Sequence, residues 1–185
     1  LWDSMCFPYK NISKSEDLKV YINAIENCAT GAAMAFRNNL SFLQQPFPVI
    51  KYFIHDRWLS INLAENNSLG ILDERLIRYR LHPSQETGGR RDEIEKYIEI
   101  NKNLFFEKKE VETFKDLRYI LNKIEINLHI QNEIKKQPYK EFDNQKYIDI
   151  LKNKHSKFLN AGIKKWPFLS LIRIIKKWIR PVASQ

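Results

Sequence analysis

Apolar residues first fall at helical spacing at Leu18, Tyr21, Ile22 and Ile25. Ser15 stands ahead of them with Glu16 and Asp17 behind it, a helix start with acids in the first turn. The pattern predicts a helix that ends near Asn27. Residues 29–36, ATGAAMAF, are small and apolar and predict a buried strand. Gly31 within it marks either tight packing or a close approach of backbone or ligand. Residues 38–43 predict one short helical turn, and 44–48 a loop holding two prolines. Residues 49–54, VIKYFI, read as loop or short strand. Asp56 then precedes Trp58, Leu59, Ile61, Leu63 and Ala64, a mostly apolar helix stopped by Asn66, Asn67 and Ser68.

Residues 70–82 carry Ile71, Leu72, Leu76, Ile77, Tyr79 and Leu81, and predict two short strands or one strand bent at Asp73 and Glu74. A polar loop follows to Gly89. Beyond Arg90 the character changes. Residues 93–107, 111–136 and 142–159 read as charged amphipathic helices; Pro138 separates the second from the third, and Gly162 precedes the last. The expected architecture is a strand-containing part over 1–90 and a helical extension over 91–185.

The last predicted helix, 168–180, has a distinct pattern. At about 100° per residue, Phe168, Leu171, Ile172, Ile174, Ile175, Trp178 and Ile179 share one arc, while Ser170, Arg173, Lys176, Lys177 and Arg180 share the opposite one. Such a helix is too short to cross a bilayer but suits a membrane interface, with Trp166 and Trp178 at headgroup depth and the cations drawn to anionic lipid. The ordinary alternative is a helix docked on the core with solvated lysines.

Charge sharpens this reading. The last 35 residues hold nine Lys and Arg and no acid, so the whole net charge of +9 belongs to them. A neutral body with a basic tail points to a local anchor. The cations alternate with large aliphatics on a helix rather than with aromatics exposed on a sheet, which argues against nucleic acid. With 185 residues, 43% of them hydrophobic, the chain can bury a core of its own. It has no signal-peptide pattern and no run of eighteen apolar residues. Its two cysteines, Cys6 and Cys28, lack CxxC spacing and fit reduced thiols in the cytosol.

The chemistry-bearing residues gather between His55 and His82. Asp56, just before a helix, reads ordinarily as an N-cap; alternatively it is a general base held ionised at the helix N-terminus. His82 ends a predicted strand and reads as a structural hydrogen-bonding residue or as a metal ligand. Arg80 would lie on the same side of that strand, and Arg with His there would suit a metal-bound diphosphate. Asp73 and Glu74 read as a solvated bend. His129 and His155 have no partner at metal-ligand spacing.

The ordered series ATGAAMAF (29–36), PFP (46–48), HDRWLSINLA (55–64) and LGILDERLIRYRLHPSQETGG (69–89) resembles the C-terminal half of the catalytic domain of family 2 glycosyltransferases, and more narrowly the bacterial rhamnosyltransferase-like members. The resemblance implies an α/β nucleotide-sugar domain of the GT-A kind. It implies an inverting enzyme of surface-polysaccharide assembly, with Asp56 as the base that takes the acceptor hydroxyl's proton. Arg80 and His82 would lie at the diphosphate and the metal, Mg or Mn, and Thr30 and Gly31 beside the donor sugar. A lipid-linked glycan acceptor at the inner face of the cell membrane would follow. Arg75 stands where the family commonly has proline, and no Asp-x-Asp occurs in the chain. The expectation is therefore a fragment, inactive alone, whose main metal ligands belong to an N-terminal half.

Overall fold

The computed structural model describes residues 15–27, 29, 31–37, 46–70, 72, 91–106, 111–137 and 142–170. Helix α1 spans Ser15–Val20 and runs on as one wider, π-helical turn, Tyr21–Ile25. A single 3₁₀ turn follows at Gly31–Ala33. Then come α2 (His55–Glu65), α3 (Arg91–Phe106), α4 (Phe114–Lys135) and α5 (Gln145–Lys165).

The periodic segments fold as their spacing predicts. Leu18, Tyr21, Ile22 and Ile25 are all buried. Thr113 caps α4 by accepting from the Asp116 amide at 3.1 Å, which satisfies one of the free donors of the first turn. Helix α2 stops at the asparagines. Asn67 takes a left-handed φ of 52°, its amide donates to Ala64 O, and that of Ser68 donates back to Leu63 O at 2.8 Å. Helices α4 and α5 form an antiparallel pair. Lys135 Nζ meets Gln145 Oε1 at one end, His155 lies 3.5 Å from Glu125 midway, and Gly162 backs onto Leu117 at the other end.

Gly162 lies inside α5, which extends six residues past its expected end; the tail helix expected after it lies outside the described residues beyond Ser170. A β-carbon there would stand 2.3 Å from Leu117 Cδ2 and 3.3 Å from Leu169 Cδ1. The glycine is kept for close approach between the two helices, not for a helix break.

The α/β architecture is overturned. Among the described residues there are five α-helices and no β-strand. Residues 29–36 do not make a buried strand. Met34 N donates to Gly31 O at 3.3 Å to close the 3₁₀ turn, and Gly31, Ala33 and Phe36 are exposed. The physical reason is local and tertiary. Alanine favours helical backbone, and the run has no β-branched residue beyond Thr30. A strand also needs a neighbour to complete its ladder, whereas the helices here satisfy their backbone internally. The strands expected within 70–82 lie outside the described residues, apart from Gly70 and Leu72.

One apolar core joins the early and late parts of the chain. Tyr21, Ile22 and Ile25 share it with Trp58, Ile61, Leu104, Ile120, Ile124, Ile130, Ile134 and Leu151. The π-helical turn runs through this core, and its carbonyls have side-chain partners. Arg57 Nη2 donates to Ile22 O at 3.1 Å and to Asn23 O at 3.3 Å. Asn127 Nδ2 donates to Ala24 O and Ile25 O, and Gln131 Nε2 to Asn23 O. Polar residues at inward positions of α2 and α4 thus complete a helix end that water does not reach.

Candidate functional site

Asp56 lies in the first turn of α2, where Ile54 rather than Asp56 occupies the cap position. It is 7% exposed. Its Oδ1 accepts from Asn27 Nδ2 at 2.9 Å and its Oδ2 from the Gly31 amide at 3.4 Å. The carboxylate is thus turned away from its own helix and toward residues 27–31.

Asn27 sets that geometry. Its amide nitrogen also donates to Ala29 O at 2.8 Å, and its Oδ1 accepts from Ala29 N at 3.1 Å and Ser60 Oγ at 3.3 Å. Such a set fixes the side-chain amide in one orientation and leaves it no freedom to release Asp56 without breaking several bonds. Neither Asn27 nor Ser60 was expected as a site residue. Ser60 does fall four residues after Asp56, one helical turn on, which is a weak signal; Asn27 is 29 positions away and gives none.

His55 stands exposed beside this cluster. A β-carbon on Gly31 would lie 3.4 Å from His55 Nε2, ordinary contact distance, so no steric need for glycine exists there. The ATG and HD segments therefore come together at Asp56, Gly31 and His55. Thr30, Arg80 and His82 lie outside the described residues.

Among the described residues no three His, Cys, Asp or Glu side chains gather to hold a metal.

At the end of α5, Phe114 meets Trp166 with ring centroids 6.0 Å apart and Phe168 at 5.4 Å, and Lys165 Nζ lies 5.1 Å above the Trp166 ring. Phe114 and Phe168 are exposed, while Leu169 is buried. The cations of the basic arc, Arg173, Lys176, Lys177 and Arg180, and Trp178 of the apolar arc lie outside the described residues. No helix among the described residues is long and apolar enough to cross a membrane.

Comparison of the chain with protein-family models, with curated proteins and with solved structures finds no match.

Proposed function

We propose that the chain contributes the acceptor side of an inverting sugar transfer, with Asp56 as general base. The observation that carries this reading is the meeting of Asp56 with Asn27 and the Gly31 amide beside exposed His55. A buried carboxylate held by neutral donors and no longer committed to capping its helix is a base kept in one orientation. In the reaction it takes the proton of the acceptor hydroxyl. The acceptor oxygen forms a bond to the anomeric carbon, the bond from that carbon to the diphosphate breaks, and the nucleoside diphosphate leaves with the electron pair. Attack opposite the leaving group inverts the anomeric centre. The proposal concerns the chemistry at Asp56 and does not depend on an α/β fold.

The acceptor would be a glycan or lipid-linked glycan, met at the inner face of the cell membrane. The exposed Phe114, Phe168 and Lys165 at the root of the basic tail support contact with anionic lipid.

A second reading, a helical binding protein without catalysis, is favoured by the fact that both Asp56 oxygens already accept protein hydrogen bonds. One experiment separates the two. The natural gene product containing these residues is incubated with labelled nucleotide sugars and a membrane extract, and nucleoside diphosphate release is followed. Asp56→Asn keeps an acceptor oxygen for Asn27 and removes the base. Transfer that falls roughly 100-fold or more, with the melting temperature held, supports the base. Full transfer by the variant, or no transfer from any donor, favours the second reading.

A further inference from the structure

We propose that residues 46–54 form a membrane-insertion loop, separate from the basic tail, that seats the N-terminus of α2 on an anionic lipid surface. The loop sorts its side chains with unusual consistency. Pro48, Ile50 and Phe53 point inward, while Phe47, Val49, Tyr52 and Ile54 are 40%, 100%, 63% and 54% exposed. Four large apolar side chains within eight residues thus face outward. The inward residues hold the loop in place. Phe47 stacks on Phe53 with centroids 6.1 Å apart, and Phe53 meets Trp58 of α2 edge-on at 6.1 Å. The amide of Phe53 closes a turn onto Ile50 O at 3.1 Å. Tyr52 takes a φ of 65° in that turn, a left-handed conformation that a bulky residue seldom adopts. The outward display is therefore built into the backbone of an anchored loop.

Charge selects the occupant. No Asp or Glu occurs anywhere in residues 27–55, where the only Lys and Arg are Arg37 and Lys51. Lys51 Nζ lies 4.9 Å above the Tyr52 ring, at the base of the apolar tip. An aliphatic tip, a tyrosine at intermediate depth and a lysine reaching to headgroups is the order that a bilayer interface demands. The loop is a projecting tip of nine residues, smaller than the twenty or so a side that a stable protein interface engages. A second acid-free basic stretch at residues 151–185 would let two weak contacts act together.

The test uses the full chain and vesicles of phosphatidylcholine with about one third phosphatidylglycerol, read by co-sedimentation without donor or acceptor. It therefore fails or succeeds independently of the sugar-transfer reading. Arg173, Lys176, Lys177 and Arg180 are changed to Gln so that the tail does not mask the loop. In that background Val49→Asp with Ile54→Asp should weaken vesicle binding roughly tenfold or more, while Val49→Leu should keep it. Both aspartates sit at exposed positions, and the one at 54 takes the cap position of α2, so the circular-dichroism melt should not fall. No binding by the tail-neutral chain, or binding indifferent to the two aspartates, overturns the proposal. A switch from dimer to monomer in the aspartate variant, with vesicle binding unchanged, overturns it in favour of a protein partner.

Discussion

Arg57 Nη2 donates to Asn127 Oδ1 at 2.8 Å, joining residues seventy positions apart inside the core. Asn127 spends its own donors on the carbonyls of Ala24 and Ile25 at 3.2 and 3.1 Å. A single side-chain amide thus serves a buried guanidinium on one side and the end of the π-helical turn on the other. The register between α1, α2 and α4 depends on it.

Asn127→Ala would strip an acceptor from a buried cation and a donor from two carbonyls. The expected loss is about 3 kcal/mol, from unsatisfied buried groups rather than from lost volume. Asn127→Asp keeps an acceptor for Arg57 and should lose less. Urea unfolding checks both, with the midpoint falling and the slope unchanged.

Asn27→Ala tests whether orientation of Asp56 matters beyond stability. The change removes the hydrogen bonds to Asp56, Ala29 and Ser60 and should cost about 2 kcal/mol. If Asp56 is the base, transfer by the gene product should fall at temperatures where the variant is still fully folded. Asn27→Gln should not restore it, because the longer side chain cannot meet both Ala29 and Asp56. Transfer that tracks only the folded fraction would reduce Asn27 to a structural role.

Gly162→Ala pits helix propensity against packing. Alanine gains about 1 kcal/mol of propensity in a helix interior. Its β-carbon, however, would stand 2.3 Å from Leu117 Cδ2, and Leu117 is itself buried in the core. Overpacking of this kind costs about 1–3 kcal/mol, so the net change should be destabilising. Leu117→Ala alone should also destabilise, through a cavity. The pair together should be more stable than the sum of the two losses, a coupling that thermal melts of the four proteins would expose.

What the sequence disclosed follows physical range. Helices α4 and α5 were legible because their apolar residues recur locally, and the stop of α2 because Asn67 can take the left-handed conformation that ends a helix. Residues 29–36 were misread. An apolar run of eight has no period that separates a strand from a turn, and the decision fell to the surrounding helices. The site was legible only on one side. Asp56 drew attention by standing at a helix start, yet its partners Asn27 and Gly31 are set by the path of the chain back to α2. Nothing local to Arg57 signals that it would be buried against α4. Gly162 was seen as punctuation because glycine often ends helices, whereas here the missing side chain makes room for Leu117.

Tyr147 supplies a pH dependence with a definite sign. The side chain is fully buried, and its hydroxyl donates to Glu65, which also accepts from Asn23 Nδ2 at 3.0 Å. Burial first, and then the bond to Glu65, push the phenol well above its ordinary value of 10.0. The folded chain therefore keeps this proton to higher pH than the unfolded chain does. The stability it confers is whole below pH 10 and falls as pH rises beyond it, because unfolding then releases a proton. Tyr119, raised by burial and then by Glu26, adds to the same slope. Tyr147→Phe should lose about 1–2 kcal/mol at neutral pH, where the hydrogen bond to Glu65 is intact. It should also flatten the alkaline decline, so that the two proteins converge as pH climbs above 10. Urea midpoints measured from pH 7 to pH 11 give both numbers. Parallel curves for the two proteins would show that Tyr147 gives up its proton as easily folded as unfolded.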